Sequence, residues 1–403
     1  MNVKKIIRLF WGKIIGSRSS RSVPKRIYDV FNTEYEKKAM LSYVTSPFEN
    51  LQSLHRTHTN VIEAKSWAEE LHRRKFRVDV FNYNDTAPID NLTDYVCHCG
   101  FGVPLESALN MRSDRETTFI FYGTGCHHAF SDRETIKRKI SFRRKYGRWP
   151  NIGGREIGFS WPLQMLSSDY YVALGNKFVA ETYRKNILTG QVLHLSAFYL
   201  NDPSTIQFKI FTEKNRNNLL WFGSNGAIHK GLITALESLR QLPDVTLHIA
   251  GLAECERREL ELDEIFADLK DRVIYHGFVH VDSDLFQNII NKCGIVVYPS
   301  ASEGGAANIL TSVANGAGIP ILTRATGVDR QDLAIIMESG TVEEVVSAIR
   351  MVRDMPVTKY VAWAGDTQRY YARNYTIGRY QKALTRIFDE IGTGSGSIPV
   401  DYT

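Results

Sequence analysis

The stretch YPSASEGGAANILTSVANGAGIPILT, Tyr298 to Thr323, places a carboxylate, two glycines and two alanines directly after a buried apolar run and closes on Gly-Ala-Gly-Ile-Pro. The run ending at Tyr298 reads as a strand and Ile319 to Thr323 as the next one. Between them a helix begins near Ala306 and turns Leu310, Val313 and Ala314 toward the sheet. Short, continuously apolar strands bounded by Gly or Pro are what a parallel sheet covered on both faces requires. The backbone N–H groups of Gly304, Gly305, Ala306 and Ala307 then lie at a helix N-terminus, where unpaired donors and the macrodipole attract an anion. Glu303 would repel a phosphate there, but it can accept hydrogen bonds from the hydroxyls of a sugar joined to that phosphate. The plainer alternative is a Glu that favours the helix dipole beside glycines that only make a turn.

Working outward, the same alternation runs through both halves of the chain. NLLWFG, VTLHIAG, RVIYHG, GIVVYPS and IPILT are strands separated by helices. Earlier strands are expected at AMLSYVTSPF, FRVDVFNYN, DYVCHC, TTFIFYG and DYYVALG. A helix over TNVIEAKSWAEELHRR starts with Asn60 and Glu63 in capping-box spacing. With 403 residues the chain is long enough for two lobes. The expected division is a basic N-terminal arm over 1–35, a first lobe over 36–205, a second lobe over 206–391 whose last helix can cross back, and a Gly/Ser-rich tail over 392–403. Open sheets of this kind bind ligands beyond the carboxyl ends of their strands.

Two further strand-to-helix turns carry chemistry. In WFGSNGAIHKG, Gly223 and Gly226 permit a tight turn and Lys230 stands inside the first helical turn, where it can neutralise a diphosphate leaving group. In YHGFVHVDSDL, Gly277 and Phe278 lie at another strand end, where backbone groups can pair with a base edge.

The succession Phe222-Gly223, Lys230-Gly231, Gly277-Phe278-Val279, YPSASEGG and GAGIPILT resembles the donor half of family-4-type glycosyltransferases with the GT-B fold, over about residues 218 to 323. The first half matches only in layout and in a few loop residues. The resemblance implies an α/β architecture of two doubly wound, Rossmann-like domains facing a cleft. It implies that Lys230 contacts the donor diphosphate, that Gly223 begins the loop crossing the cleft and that Phe278 flanks the nucleobase through its backbone. Glu303 would hold the donor sugar, with the amides of Gly304, Gly305, Ala306 and Ala307 at the phosphates. Two positions depart from the pattern. A ribose-binding Glu is replaced by Thr311, whose hydroxyl can still reach a ribose, and a basic residue after Gly223 is replaced by Ser224, which cannot supply a charge. Diphosphate binding then leans harder on Lys230.

On the acceptor side, FYGTGCHHAFSDRETIKRKISFRRKYG (121–147) puts His127 and His128 after a strand and before a helix begun by Ser131 and Glu134 in capping-box spacing. In relatives of this kind a histidine lies near the transferred sugar, and His127 is the first choice; a histidine pair on a loop is otherwise simply exposed. The loop bearing Thr57, His58, Thr59 and Asn60 is expected to face the same cleft. Lys137, Arg138, Lys139, Arg143, Arg144 and Lys145 make the helix over 132–146 basic. That face is either solvated or a seat for an anionic acceptor, such as a lipid-linked phosphate, or for a membrane surface.

The net charge of +6 is concentrated at the start, where eight basic residues stand against Asp29 within the first thirty, so nothing suggests a nucleic-acid-coating surface. VKKIIRLFWGKIIG mixes aromatic and apolar residues with cations, and Arg8 and Lys13 interrupt any signal-peptide core. It can lie in the headgroup region of an anionic membrane, pack as an extra helix or remain a solvated tail. No apolar run is long enough to span a bilayer, and 43% hydrophobic with 23% charged residues fits a soluble globular protein. Five scattered cysteines point to a reducing compartment without disulfides. Cys97-His98-Cys99 with Cys126-His127-His128 invites zinc, but Cys-x-Cys on a strand only puts two small residues on one face.

The expectation is therefore a metal-independent transfer of a sugar from a nucleotide-diphosphate sugar to a glycan or lipid-linked acceptor, with retention implied by the resemblance alone. It takes no cofactor, and it belongs to cell-surface polysaccharide or glycoconjugate assembly in the cytoplasm or at the inner membrane face. The rivals are a non-catalytic GT-B protein that binds a nucleotide sugar or a partner enzyme, and a sugar phosphorylase or epimerase on the same frame.

Overall fold

A computed structural model describes residues 25–49, 58–112, 117–157, 161–328 and 332–392. The first lobe is built on seven strands: β1 (Arg26–Ile27), β2 (Lys38–Tyr43), β3 (Arg77–Asn82), β4 (Tyr95–Gly100), β5 (Thr118–Gly123), β6 (Tyr170–Leu174) and β7 (Gln191–Leu195). They lie in the order β1-β3-β2-β4-β5-β6-β7, and all pairings are parallel except that of β1 with β3. The second lobe holds β8 (Asn218–Phe222), β9 (Thr246–Ala250), β10 (Val273–Tyr275), β11 (Ile295–Tyr298), β12 (Ile319–Thr323) and β13 (Ile335–Met337). Their order is β10-β9-β8-β11-β12-β13, parallel throughout.

Strand order reverses between β8 and β11, where Leu219 and Leu220 pair with Ile295 and Val296. Loops leaving adjacent parallel strands at such a reversal diverge to opposite faces and open a crevice at the carboxyl ends. The turn after Phe222 and the loop after Tyr298 are those two loops. The apolar runs that predicted these strands are buried because helices cover both faces; Ile295, Val296, Val297, Tyr298, Ile319 and Ile321 have no solvent exposure.

The helices used below are α1 (Thr59–Arg73), α2 (His128–Tyr146), α3 (Leu232–Leu239), α4 (Ala307–Ala314), α5 (Val357–Asn374) and α6 (Ile377–Ile391). Helix α4 packs on α5, while α6 leaves the second lobe and packs on α1 and β7 of the first. The seam of α6 is polar as well as apolar. Trp67 Nε1 donates to Tyr380 Oη at 3.2 Å, Tyr380 and Tyr122 hydroxyls are 3.2 Å apart, and Tyr122 and Tyr43 donate to the buried Glu63 carboxylate at 2.9 and 2.7 Å. Buried hydroxyls and a buried carboxylate satisfied in this way fix the register of α6 on the first lobe.

Several local expectations are corrected. Helix α1 is capped by His58, whose Nδ1 accepts from Asn60 N, and Glu63 is the buried acceptor just described rather than half of a capping box. Helix α2 begins at His128 with His127 as its cap, so Ser131 and Glu134 lie within the helix; Ser131 instead meets Ser302 across the lobes at 2.7 Å. Lys230 stands in the turn before α3, which is capped by Gly231 at φ 75°, and not inside the helix. Arg26 and Ile27, assigned to the arm, pair with Phe81 and Val80, and Arg26 Nε bonds Asp85 at 2.6 Å. Residues 1–24 of the arm, Thr57, and 393–403 of the tail lie outside the described residues. Among the described residues, no helix is long and apolar enough to cross a membrane.

Candidate active site

The turn from Gly223 to Gly231 is held by its own backbone and by one carboxylate. Gly226 N–H and Ala227 N–H donate to Glu256 at 2.6 and 2.9 Å, and His229 N–H donates to Gly153 O at 2.9 Å. Lys230 N–H donates to Gly226 O at 2.7 Å. The amides of Gly223, Gly226, Ala227, His229, Lys230 and Gly231 are therefore committed within the fold, and Lys230 is the cation that this turn offers an anion. Sequence reading missed Glu256, which arrives from the loop and helix after β9 and carries no local signal toward a turn thirty residues earlier. Burial raises the Glu256 carboxyl, and the two amide bonds with the charge of Lys230 oppose that. Gly231 has no room for a Cβ, which would meet Pro299 O at 2.3 Å, so this turn and the loop after β11 pack backbone to backbone.

Lys230 Nζ donates to Ser224 Oγ at 2.5 Å, so the residue that lacks a charge of its own positions the ammonium. Burial brings Lys230 down to about 8, against the pull of Glu303. The Glu303 carboxylate accepts from Tyr298 Oη at 3.0 Å, from Ser300 Oγ at 3.3 Å and from Arg155 Nη1 at 3.2 Å. Burial would raise its pKa, but Arg155, Lys230 and His229 together hold it below the usual carboxylate value. Glu303 and Lys230 thus lie near enough for each charge to act on the other.

Beyond Glu303 the chain turns sharply. Gly305 has φ 86° and Ala306, the cap of α4, has φ 37°. Among the described residues nothing accepts a hydrogen bond from the amides of Gly304, Gly305 or Ala306. Ala307 is the first residue of α4 and shares this helix start. Gly304 faces the first lobe so closely that a Cβ would meet Thr124 O at 1.8 Å. Thr311 is fully buried on α4; its hydroxyl donates to Ala307 O at 2.7 Å and accepts from Leu200 N at 3.2 Å, which leaves no proton for a ribose. Phe278 is 75% exposed, with its ring edge-on to His280.

On the first lobe, His58 is brought to the cleft. Its pKa is lowered by burial first and then by the charges of Arg155 and Lys230, with Asn60 opposing. His127 differs from the exposed loop residue that its neighbours suggested. It is 1% exposed, Nδ1 caps α2 through Ala129 N, and the ring is enclosed by His128, Tyr183 and the Met165 backbone. Burial and His128 bring it to about 4, so it is neutral near pH 7. Cys126, next to it, places Sγ 3.7 Å from Glu303 O, so the histidine loop abuts the Glu303 loop without its first ring opening onto the cleft. His128 is the partly exposed member of the pair. Cys97 and Cys99 lie side by side on β4, Sγ atoms 3.4 Å apart and buried. Among the described residues no cluster of three His, Cys, Asp or Glu is placed to hold a metal.

Against this geometry, residues 216–354 match the profile of a family described as glycosyl transferases group 1. No curated protein sequence matches the chain. Among experimental structures, the sucrose-phosphate synthase of Thermosynechococcus elongatus superposes with a TM-score of 0.60 at 12% identity, covering 89% of this chain and 100% of that one. Anabaena HepE in complex with UDP-glucose superposes with a TM-score of 0.56 at 14% identity, covering 88% and 99%. HepE in complex with UDP and glucose gives 0.55 at 13% identity over 88% and 99%. At such identities the likeness is one of fold. The chain has the GT-B architecture, with a second lobe similar to group 1 glycosyl transferases.

Proposed function

We propose that this chain is a glycosyltransferase that moves a sugar from a nucleoside-diphosphate sugar to a glycan or lipid-linked acceptor, with retention and without a metal, in surface polysaccharide or glycoconjugate assembly. One observation carries the reading: Lys230 and Glu303, on the two loops at the strand-order reversal, lie close enough for each charge to act on the other, beside the unpaired amides that start α4. Sugar transfer passes through an oxocarbenium-like state in which positive charge grows at the anomeric carbon and negative charge on the departing diphosphate. Lys230 and the amides of Gly304, Gly305 and Ala306 are fixed donors for that negative charge, and they need no reorganisation as it develops. Tyr298 and Ser300 hold the Glu303 carboxylate where it can accept from sugar hydroxyls. The complexes of HepE with UDP-glucose support a nucleotide sugar as the donor class. On the acceptor side His58 lies near enough to Arg155 and Lys230 for their charges to act on it, whereas His127 is enclosed.

The test is donor turnover by the full-length protein with UDP-, GDP- and ADP-linked sugars and a range of acceptors, with chelator present and absent. Glu303→Ala and Lys230→Ala should each lose activity on the order of a hundredfold. Equal turnover by all three proteins would remove the site assignment, and loss with chelator would remove the metal-free mechanism. The non-catalytic alternative draws support from Thr311, whose hydroxyl is consumed inside the fold; it predicts nucleotide-sugar binding without turnover.

The same reading places the protein at a membrane when its acceptor is lipid-linked. The exposed face of α2 combines Arg133, Lys137, Arg143 and Arg144 with outward-facing Ile136 and Ile140. Cations around apolar side chains suit an anionic headgroup region. Co-sedimentation with vesicles containing anionic lipid should fall when Lys137, Arg143 and Arg144 are replaced by Ser; unchanged binding rejects this surface.

A further inference from the structure

The loop that follows α2 crosses from the first lobe to the donor crevice. Gly153 O accepts from His229 N–H, and Gly153 lies against Ile228 and Leu260 of the second lobe. Two residues on, the stem of Arg155 lies over Gly226. A Cβ at Gly226 would meet Arg155 Cγ at 2.8 Å and Cδ at 3.0 Å, and the φ of Gly226 is 102°. The guanidinium continues to Glu303 Oε2 at 3.2 Å while its side chain remains 49% exposed. Arg155 is therefore a first-lobe residue lying directly on the turn that bears Lys230, and it holds the carboxylate that the donor sugar is to occupy.

Charge shows why a donor needs it. Around the turn stand Lys230, Arg155 and the half-buried Arg138, whose Nη1 donates to His229 O at 3.3 Å, with Glu256 and Glu303: three cations and two anions. Without Arg155 the two carboxylates would cancel the two remaining cations, leaving no net positive charge to meet a multiply charged nucleoside diphosphate. Lys230, held at about 8, is a weakened cation, and Ser224 adds no charge. The amides of Gly226 and Ala227 are turned to Glu256 and cannot compensate. A guanidinium on a long stem, by contrast, keeps its charge and presents parallel N–H donors that match phosphate oxygens.

We infer that Arg155 exchanges partners when donor binds: in the empty protein it neutralises Glu303, and in the complex its guanidinium moves to the diphosphate and frees Glu303 for the sugar hydroxyls. This rests on the donor-site reading above, and it adds a first-lobe residue that supplies a further cation. The exchange also makes donor entry depend on the first lobe lying against the second, since Arg155 reaches the crevice only through the loop anchored by Gly153.

The experiment is calorimetric titration of the full-length wild type, Arg155→Ala, Arg155→Lys and the double variant Arg155→Ala/Ser224→Arg with UDP, GDP and ADP and with the corresponding monophosphates. Thermal unfolding is recorded for each protein. For the diphosphate that the wild type binds, Arg155→Ala should weaken affinity about tenfold or more while changing monophosphate affinity by less than about twofold. Arg155→Lys should fall between, and the Ser224→Arg change should restore diphosphate binding in the Arg155→Ala background. Unchanged diphosphate affinity in Arg155→Ala, equal losses for mono- and diphosphate, or no restoration by Ser224→Arg would each overturn the inference while leaving the donor site standing. Failure of the wild type to bind any of the three diphosphates would overturn the functional reading and this inference with it.

Discussion

Thr135 Oγ1 on the first lobe and His229 Nδ1 on the second lie 2.6 Å apart, both buried. His229 Nε2 lies 2.7 Å from Ser302 O, which can only accept. Burial brings this imidazole to about 4, so near pH 7 it is neutral and carries its proton on Nε2; Nδ1 can then only accept, and the single Thr135 hydroxyl proton is shared between Nδ1 and Ser131 O at 2.8 Å. One ring thus joins helix α2, the turn before Lys230 and the loop before Glu303.

Thr135→Val keeps the volume of the side chain and removes the hydroxyl. It leaves a buried ring nitrogen unpaired, which costs about 1 to 3 kcal/mol. Urea denaturation should show that loss, and Thr135→Ser should recover most of it. Equal stability of Val and Thr would mean that the ring is not held from the first lobe.

The pH dependence of donor binding follows from Lys230. Burial lowers its pKa to about 8 in the empty protein, and a diphosphate binds the ammonium form and raises it again. Affinity should be level below about pH 8 and fall as pH rises above it, by roughly tenfold between pH 7.5 and 9. Lys230→Arg, which keeps its charge throughout this range, should flatten the profile. A level wild-type profile measured by calorimetry across that range would dissociate Lys230 from the diphosphate.

Closure of the lobes depends on the absence of a side chain at Gly304. A Cβ there would meet the Thr124 carbonyl oxygen at 1.8 Å, a backbone atom that cannot rotate away. Gly304→Ala should therefore separate the lobes, raise the radius of gyration in small-angle scattering and reduce turnover, because an open cleft admits water and parts acceptor from donor. An unaltered radius with full turnover would show that the reaction does not require this contact.

Much of the second lobe was legible because its signals are local. Ile295 to Tyr298 and Ile319 to Thr323 are apolar throughout, as strands covered on both faces must be, and Lys230 and Glu303 each follow a strand within a few residues. The positions that escaped are those set by distant chain segments. Arg155 and Glu256 reach the Gly226 turn from other elements, and neither GGRE nor ECERRE announces a destination. Asn60 with Glu63 and Ser131 with Glu134 have the spacing of capping boxes, but the buried Tyr43 and Tyr122 claim Glu63, and Ser302 claims Ser131. Two-residue β1 and three-residue β13 are too short for any period to show. Thr311 kept the right place on α4 to suggest a ribose contact, and only packing against Leu200 reveals that its hydroxyl is used.

The most direct test of the account compares free nucleoside diphosphates with their glucose conjugates by calorimetric titration, using UDP, GDP and ADP with the wild type, Lys230→Ala and Glu303→Ala. With the pair that the wild type binds, Lys230→Ala should weaken both ligands by roughly ten- to a hundredfold, and Glu303→Ala should weaken the sugar conjugate alone by a similar factor. Losses that fall equally on both ligands in both variants, or no loss in either, would contradict the division of labour between lysine and carboxylate on which the proposed function depends.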